Sequence, residues 1–250
     1  MIRILNKGKE IILLYRFLRF RKGFGVHSPF AFNLITNVID ERYGYYCYDT
    51  IELVRRQLCQ NQLPFGDGRQ SVGRAAVKLA IRPAHGRLLF RLANYFKPKR
   101  LLQIGCGMGI STLYMTAYSS HLRCIVLEED PAKAEWAQWS YKKAGGRNLK
   151  LEAGKYETHL CKALQQLGKV DFVFFNAGLP NVYDLFLSCM EYITSDTVIV
   201  LEGLRDSQAM RNCWKQIKQH PDVVLTFDLY HIGLVFFNKK LHRKDYIVYF

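Results

Sequence analysis

From residue 101 onward the chain alternates between two hydrophobic periods. Short apolar runs, the mark of strands buried on both faces, fall at 101–105, 123–128, 149–153, 170–175 and 197–201. Segments 111–119, 131–144, 157–167, 181–192 and 206–219 carry the 3.6-residue spacing of helices instead. Strands that alternate with helices predict an α/β fold, a parallel sheet covered on both faces. The end departs from this pattern. Residues 222–230 and 233–238 are two strands with almost no chain between them, so they should pair as an antiparallel hairpin. Residues 246–250 can add a final edge segment.

The first hundred residues read differently. Residues 9–22 predict a short helix with a broad apolar face (Ile11, Leu14, Tyr15, Leu18) and a basic stripe of Lys9, Arg16 and Arg19. Gly23 and Gly25 end it. Ser28-Pro29 supplies a cap and a first-turn proline for a second helix that carries Phe30, Ile35, Val38 and Ile39. Residues 50–60 and 84–96 predict two more helices, with a turn at Pro64–Gly68 between them. Segment 68–82, rich in Arg, Lys, Gly and Ser, reads as a mobile connection. The expected organisation is a helical, basic N-terminal extension over 1–83 and an α/β domain over 84–250.

Charge follows the same division. The chain of 250 residues has a formal net charge of +15. Residues 1–100 hold 19 basic and 6 acidic side chains, against 17 and 15 in residues 101–250. The excess therefore belongs to the extension. Arg16, Arg19, Arg21 and Lys22, then Arg55, Arg56, Arg69, Arg74, Lys78 and Arg82, could meet phosphates, with Tyr45, Tyr46 and Tyr48 available to stack on bases. Because these residues are spread rather than blocked, the favoured reading is a helix packed on the core or on a second copy, with solvated charges. No apolar run reaches the roughly 18–20 residues of a membrane span, and no secretory signal is evident. Seven scattered cysteines without a Cys-x-x-Cys pair, and seven dispersed histidines, argue against a zinc site or a disulfide framework. The expected compartment is the cytoplasm.

The chemistry concentrates at Leu101–Thr112, where an apolar strand runs into Gly105-Cys106-Gly107-Met108-Gly109 and a helix begins at Ser111. Glycines there let the backbone turn sharply and approach a ligand, and free N–H groups at a helix start can bind a carboxylate. The following strand ends in Glu128, 23 positions after Gly105, where an acid can accept hydrogen bonds from ribose hydroxyls. The next residues, Glu129-Asp130-Pro131, also suit a helix start. The spacing Gly-x-Gly-x-Gly lacks the nicotinamide pattern Gly-x-Gly-x-x-Gly, and the terminal hairpin speaks against a dehydrogenase.

Leu101–Thr112, Val126–Pro131, Asp171–Gly178 and Gly233–Asn238 together resemble the class I S-adenosylmethionine-dependent methyltransferases, nearest the catechol-type O-methyltransferase branch. The stretch Phe24–Phe30 resembles a lead-in of bacterial members of that branch. The resemblance implies a Rossmann-like, seven-stranded, mostly parallel sheet with a reversed last strand, and S-adenosylmethionine as cofactor. It implies cofactor contacts at Gly105, Gly107, Gly109 and Ser111 for the methionine part and at Glu128 for the ribose, with Cys106 and Asn176 in the same set.

Several positions depart from the family. The strand before the loop carries Gln103 where the family has an acid, and Lys155 stands where an Asn or Asp is common. The two strand ends that usually present metal-binding carboxylates carry Asn176 and Glu202-Gly203. A hard cation wants carboxylate oxygens, and the family's catalytic lysine position falls among Leu179 and Pro180. The sequence therefore points to methyl transfer without a divalent metal, to an unknown acceptor that is more readily a small molecule than a nucleic acid. His27, His85 and His231 are candidate bases by residue type. Two other readings stay open: a non-catalytic binding protein on this fold, and an RNA methyltransferase that uses the basic extension. A homodimer is compatible with all three.

Overall fold

The computed structural model describes residues 11, 14–19, 23, 25–146 and 149–250. The N-terminal part supplies α1 (Pro29–Leu34), continued by a π-helical turn (Ile35–Ile39), then α2 (Tyr46–Gln60), β1 (Pro64–Phe65), β2 (Gln70–Ser71), α3 (Val72–Leu79) and α4 (Pro83–Phe96). The Ser28 hydroxyl accepts from the Ala31 N–H and so caps α1, as the Ser-Pro pair predicts. Segment 68–82, expected to be mobile, instead forms the second strand of a small hairpin and then α3, where Ser71 accepts from the Arg74 N–H. Its small residues pack rather than loosen the chain: Val72, Gly73, Ala75 and Ala76 are all buried.

The α/β part runs β3 (Arg100–Ile104), α5 (Ile110–Thr116), β4 (Arg123–Glu128), α6 (Pro131–Lys143), β5 (Leu149–Ala153), α7 (Tyr156–Leu167) and β6 (Phe172–Phe175). It continues with α8 (Val182–Cys189), β7 (Val198–Glu202), α9 (Gln208–Gln219), β8 (Leu225–Asp228), β9 (Ile232–Phe236) and β10 (Lys244–Ile247). The strand order is β10-β8-β9-β7-β6-β3-β4-β5. β9 pairs antiparallel with both β7 and β8, and every other pairing is parallel. The mostly parallel α/β sheet with its terminal hairpin is therefore as expected, with eight strands rather than seven. The extra strand is the anticipated edge segment, shifted to 244–247 and paired with β8. The central strands are apolar on both faces because helices cover both; Phe172, Val173, Phe174 and Phe175 are fully buried. Among the described residues no helix is long and apolar enough to cross a membrane.

The N-terminal helices pack into the core of one sheet face, where Leu34, Ile39 and Leu58 share a cluster with Leu101, Phe174 and Phe227. Buried Arg91 of α4 donates to the carbonyls of Val38 (2.6 Å) and Ile39 (3.0 Å), satisfying the end of the π-helical turn. Of the helix expected at 9–22, residues 11 and 14–19 are helical and the others lie outside the described residues. Arg16, read as part of a solvated stripe, is only 6% exposed. It donates to Asp228 at 3.0 and 3.1 Å, while Arg205 approaches the other carboxylate oxygen at 2.7 Å. Both guanidinium groups also lie over the ring of Tyr230, a residue held at φ +75°. The two arginines thus clamp the turn between β8 and β9, each holding one oxygen of the same carboxylate.

Burial alone would push the Asp228 carboxyl up, but the bond from Arg205 and the charges of Arg16 and Arg205 outweigh it and hold the carboxyl below its ordinary value. Its contribution to stability is therefore fully present above the unfolded carboxylate value and is lost as pH falls through the folded one. We predict that Asp228→Ala lowers the unfolding free energy by about 3 kcal/mol at neutral pH, because it leaves two arginines without their anion. The gap to the wild-type protein should narrow in urea melts repeated near pH ~3. A gap that stays constant with pH would show that the clamp does not act through the carboxylate charge.

Candidate functional site

β3 lies inside the sheet between β6 and β4, and the chain leaves it first toward β4 and later toward β6 on the other side. A crevice opens where such a sheet reverses its winding, beyond the carboxyl ends of its strands. The glycine loop sits there. Gly105, Gly107 and Gly109 adopt φ of +79°, +54° and +83°, in the left-handed range that side chains disfavour. At Gly107 space adds a second requirement, because a Cβ would stand 2.7 Å from the carbonyl oxygen of Leu79. The end of α3 therefore lies directly against the loop. Gly109 caps α5, and its missing side chain lets the backbone of α6 approach; a Cβ would be 3.0 Å from the Ala137 Cα.

Glu128, at the end of β4, is 2% exposed and lies against this loop. One carboxylate oxygen accepts from the Cys106 N–H at 2.8 Å. The other accepts from the Asp130 N–H at 3.1 Å and the Tyr156 hydroxyl at 3.3 Å. A carboxylate offers about four acceptor positions, so three are already engaged within the protein. Glu128 thus organises the loop as well as facing the cavity. Asp130 performs the helix-start role read from the sequence, accepting from the N–H groups of Ala132 and Lys133 at the head of α6. Tyr156 was not among the expected site residues; its position at the start of α7, just past the end of β5, is the only sequence signal for it.

Gln103, read above as a departure, is fully engaged. Its amide donates to the Gly105 carbonyl at 2.8 Å and the Ser111 hydroxyl at 2.9 Å, and its oxygen accepts from Thr112 at 2.8 Å. A carboxylate could not make the two donations. The amide therefore ties the loop to the first turn of α5.

A cavity of about 520 Å³ opens over the loop. Of the residues expected to hold cofactor, Gly105, Gly107, Glu128 and Asn176 line it. Cys106, Gly109 and Ser111 do not. Cys106 is buried, and burial together with Glu128 raises its thiol well above the ordinary value. Ser111 is 2% exposed, with its hydroxyl held by Gln103. A helix start shows in sequence, but not which way its hydroxyl faces.

The opposite end of the cavity gathers residues from β7, the β8–β9 turn and α4. His85, His231, Glu202 and Asp206 all line it. The Nδ1 of His85 stands 3.5 Å from Glu202 Oε1, and the rings of His85 and His231 are 5.8 Å apart. The β8–β9 turn is fastened here, since the His231 carbonyl accepts from Gly203 (2.8 Å) and Leu204 (3.2 Å). His27 is exposed and outside this cavity. Asn176 and Glu202 both line this cavity; the Asn176 amide nitrogen lies near Gly107, and one Glu202 oxygen faces His85. Among the described residues no three His, Cys, Asp or Glu side chains are grouped so as to hold a metal ion.

The structure divides the basic residues of the extension: Arg19, Arg56, Arg69, Arg74, Lys78 and Arg82 are exposed, whereas others are engaged within the fold. Arg16 is buried on Asp228, Arg55 is bonded to Glu52, and exposed Arg69 pairs with Asp67. Tyr48 is buried in an aromatic cluster with Tyr45, Phe90 and Tyr114. Arg21 and Lys22 lie outside the described residues.

No family model matches the chain. A catechol O-methyltransferase of Niastella koreensis is 28% identical over 136 residues, which cover 53% of this chain. The chain spans 62% of that relative's length. Among solved structures, the O-methyltransferase of Bacillus cereus in complex with S-adenosylhomocysteine matches with a TM-score of 0.60 and 21% identity, over 80% of this chain and 95% of that one. The S-adenosylhomocysteine-bound methyltransferase of Podospora anserina gives 0.60 and 18%, over 84% and 96%. A Klebsiella pneumoniae O-methyltransferase structure gives 0.60 and 19%, over 81% and 94%. The chain therefore has the fold of these methyltransferases, and over about half its length its sequence is similar to a catechol O-methyltransferase.

Proposed function

We propose that the chain transfers a methyl group from S-adenosylmethionine to an oxygen of a small-molecule acceptor, without a divalent metal. The observation that carries this reading is the cavity at the winding reversal, with Gly105 and Gly107 at one end and a histidine–carboxylate pair at the other. Its volume is ample for a cofactor of nucleoside size. The absence of side chains at Gly105 and Gly107 provides a cradle that Cβ atoms would fill.

In this reading Glu128 keeps the loop N–H groups in place and has one acceptor position left for a ribose hydroxyl. Leu79 at the end of α3 and Ile81 in the segment that follows, both lining the cavity, help to exclude water. S-adenosylmethionine, when bound, supplies an activated methyl group on a sulfonium, so the protein's main tasks are proximity and orientation. The donor chemistry of Asn176 and Glu202 supports a metal-free route, because an amide and a carboxylate turned to an imidazole suit a hard dication poorly.

Calorimetric titration with S-adenosylhomocysteine should give micromolar binding. Glu128→Ala should weaken it at least tenfold, since both the loop and the ribose contact are lost. Tyr156→Phe should leave it within about threefold or tighten it, because the substitution releases one acceptor position of Glu128. Equal weakening by both variants would contradict the assignment of Glu128. Magnesium or a chelator should change neither S-adenosylmethionine binding nor turnover; stimulation by magnesium would contradict the metal-free reading.

A further inference from the structure

His85 occupies a place shared by two cavities. It lines the one over the glycine loop, and it also lines a second cleft of about 460 Å³ walled by Arg42, Tyr43, Arg87, Tyr249 and Phe250. The imidazole, in the first turn of α4, therefore borders both the expected cofactor cavity and an adjoining cleft whose walls also include the charged side chains of Asp40, Glu41 and Arg91. The Phe250 ring lies 6.1 Å from it.

The residue is 9% exposed and its Nδ1 has no hydrogen-bond partner, although Glu202 Oε1 is 3.5 Å away. A buried polar atom left in that state costs free energy that folding alone does not recover. At this separation the carboxylate attracts a protonated imidazole, while the alignment is too poor for a hydrogen bond to the neutral one. Such bonds are often long before a substrate arrives and tighten once it is bound. Glu202 is fixed by the pairing of β7 with β6 and β9, so His85 faces a carboxylate carried on a central strand.

We propose that His85, supported by Glu202, is the general base of methyl transfer and that the acceptor lies in the second cleft with its hydroxyl reaching past the edge of the imidazole into the cofactor cavity. This rests on the methyltransferase reading above. The acceptor hydroxyl gives its proton to the imidazole while its oxygen forms a bond to the methyl carbon of S-adenosylmethionine. The carbon–sulfur bond breaks, and its electron pair returns to sulfur. The products are a methyl ether, S-adenosylhomocysteine and an imidazolium opposite the Glu202 carboxylate. Glu202 acts through His85 and is a positioning residue.

The experiment uses 4-nitrophenol, whose visible absorbance appears only on ionisation, added to the wild-type complex with S-adenosylhomocysteine. The pH is set about one unit below the probe's own pKa, where about a tenth is ionised in water. The bound probe should be mostly ionised in the wild-type complex. His85→Gln should bind it with at least a fivefold smaller ionised fraction, and Glu202→Gln should give an intermediate value. Thermal unfolding of each variant verifies that it is folded, and Glu202→Gln keeps the test decisive if His85→Gln is not. Equal ionisation in all three proteins, or a wild-type complex that leaves the probe neutral or unbound, would overturn the assignment of His85. Failure of the wild-type protein to bind S-adenosylhomocysteine in calorimetry would instead overturn the methyltransferase reading itself, and this proposal with it.

Discussion

The site depends on one constraint, the close approach of backbone to backbone at Gly107. The loop after β3 must turn through three left-handed residues while the Leu79 carbonyl presses against it from the end of α3. Only glycine satisfies both demands at that position. Around this contact the neighbouring elements are arranged to hold the loop still. Glu128 receives the Cys106 N–H from the adjacent strand, and Gln103 binds the Gly105 carbonyl from within β3. The loop is therefore fixed from both strands before any ligand arrives. Such preorganisation reduces what binding must spend on ordering.

The same principle extends to the far end of the cavity. His231 belongs to the turn that Asp228, Arg16 and Arg205 clamp, and its carbonyl fastens that turn to Gly203 and Leu204 just beyond β7. A basic helix from the start of the chain thus helps fix the wall opposite the glycine loop. This changes the meaning of the +15 charge. Part of the excess in the first hundred residues serves internal pairing, and its best-placed arginine is spent on an aspartate more than two hundred positions away.

Much of the fold was legible in the sequence, because periodic burial leaves a periodic pattern. The five parallel strands, their helices and the terminal hairpin follow from that pattern, and the glycine loop and Glu128 follow from their places at strand ends. Other features have no local signature. The segment 68–82 looks mobile by composition, yet its glycine and alanines are small because α3 packs closely; a Cβ at Gly73 would meet the Cys59 carbonyl at 2.4 Å. Ser111 begins the right helix, but its hydroxyl is turned to Gln103, an outcome decided by a side chain eight positions earlier. Arg16 reads as solvated because its partner is remote in sequence. Of the three histidines, residue type alone could not separate exposed His27 from His85 and His231, which the fold brings together.

The central claim is that the crevice formed by the glycine loop, the end of α3 and the end of β6 is a nucleoside-cofactor site. Hydrogen–deuterium exchange with and without S-adenosylhomocysteine tests it without reference to any acceptor. Protection should rise at 105–109, 79–82 and 176–179 together, with the remote β10 edge unchanged. Protection confined to other segments, or none at saturating ligand, would contradict the account.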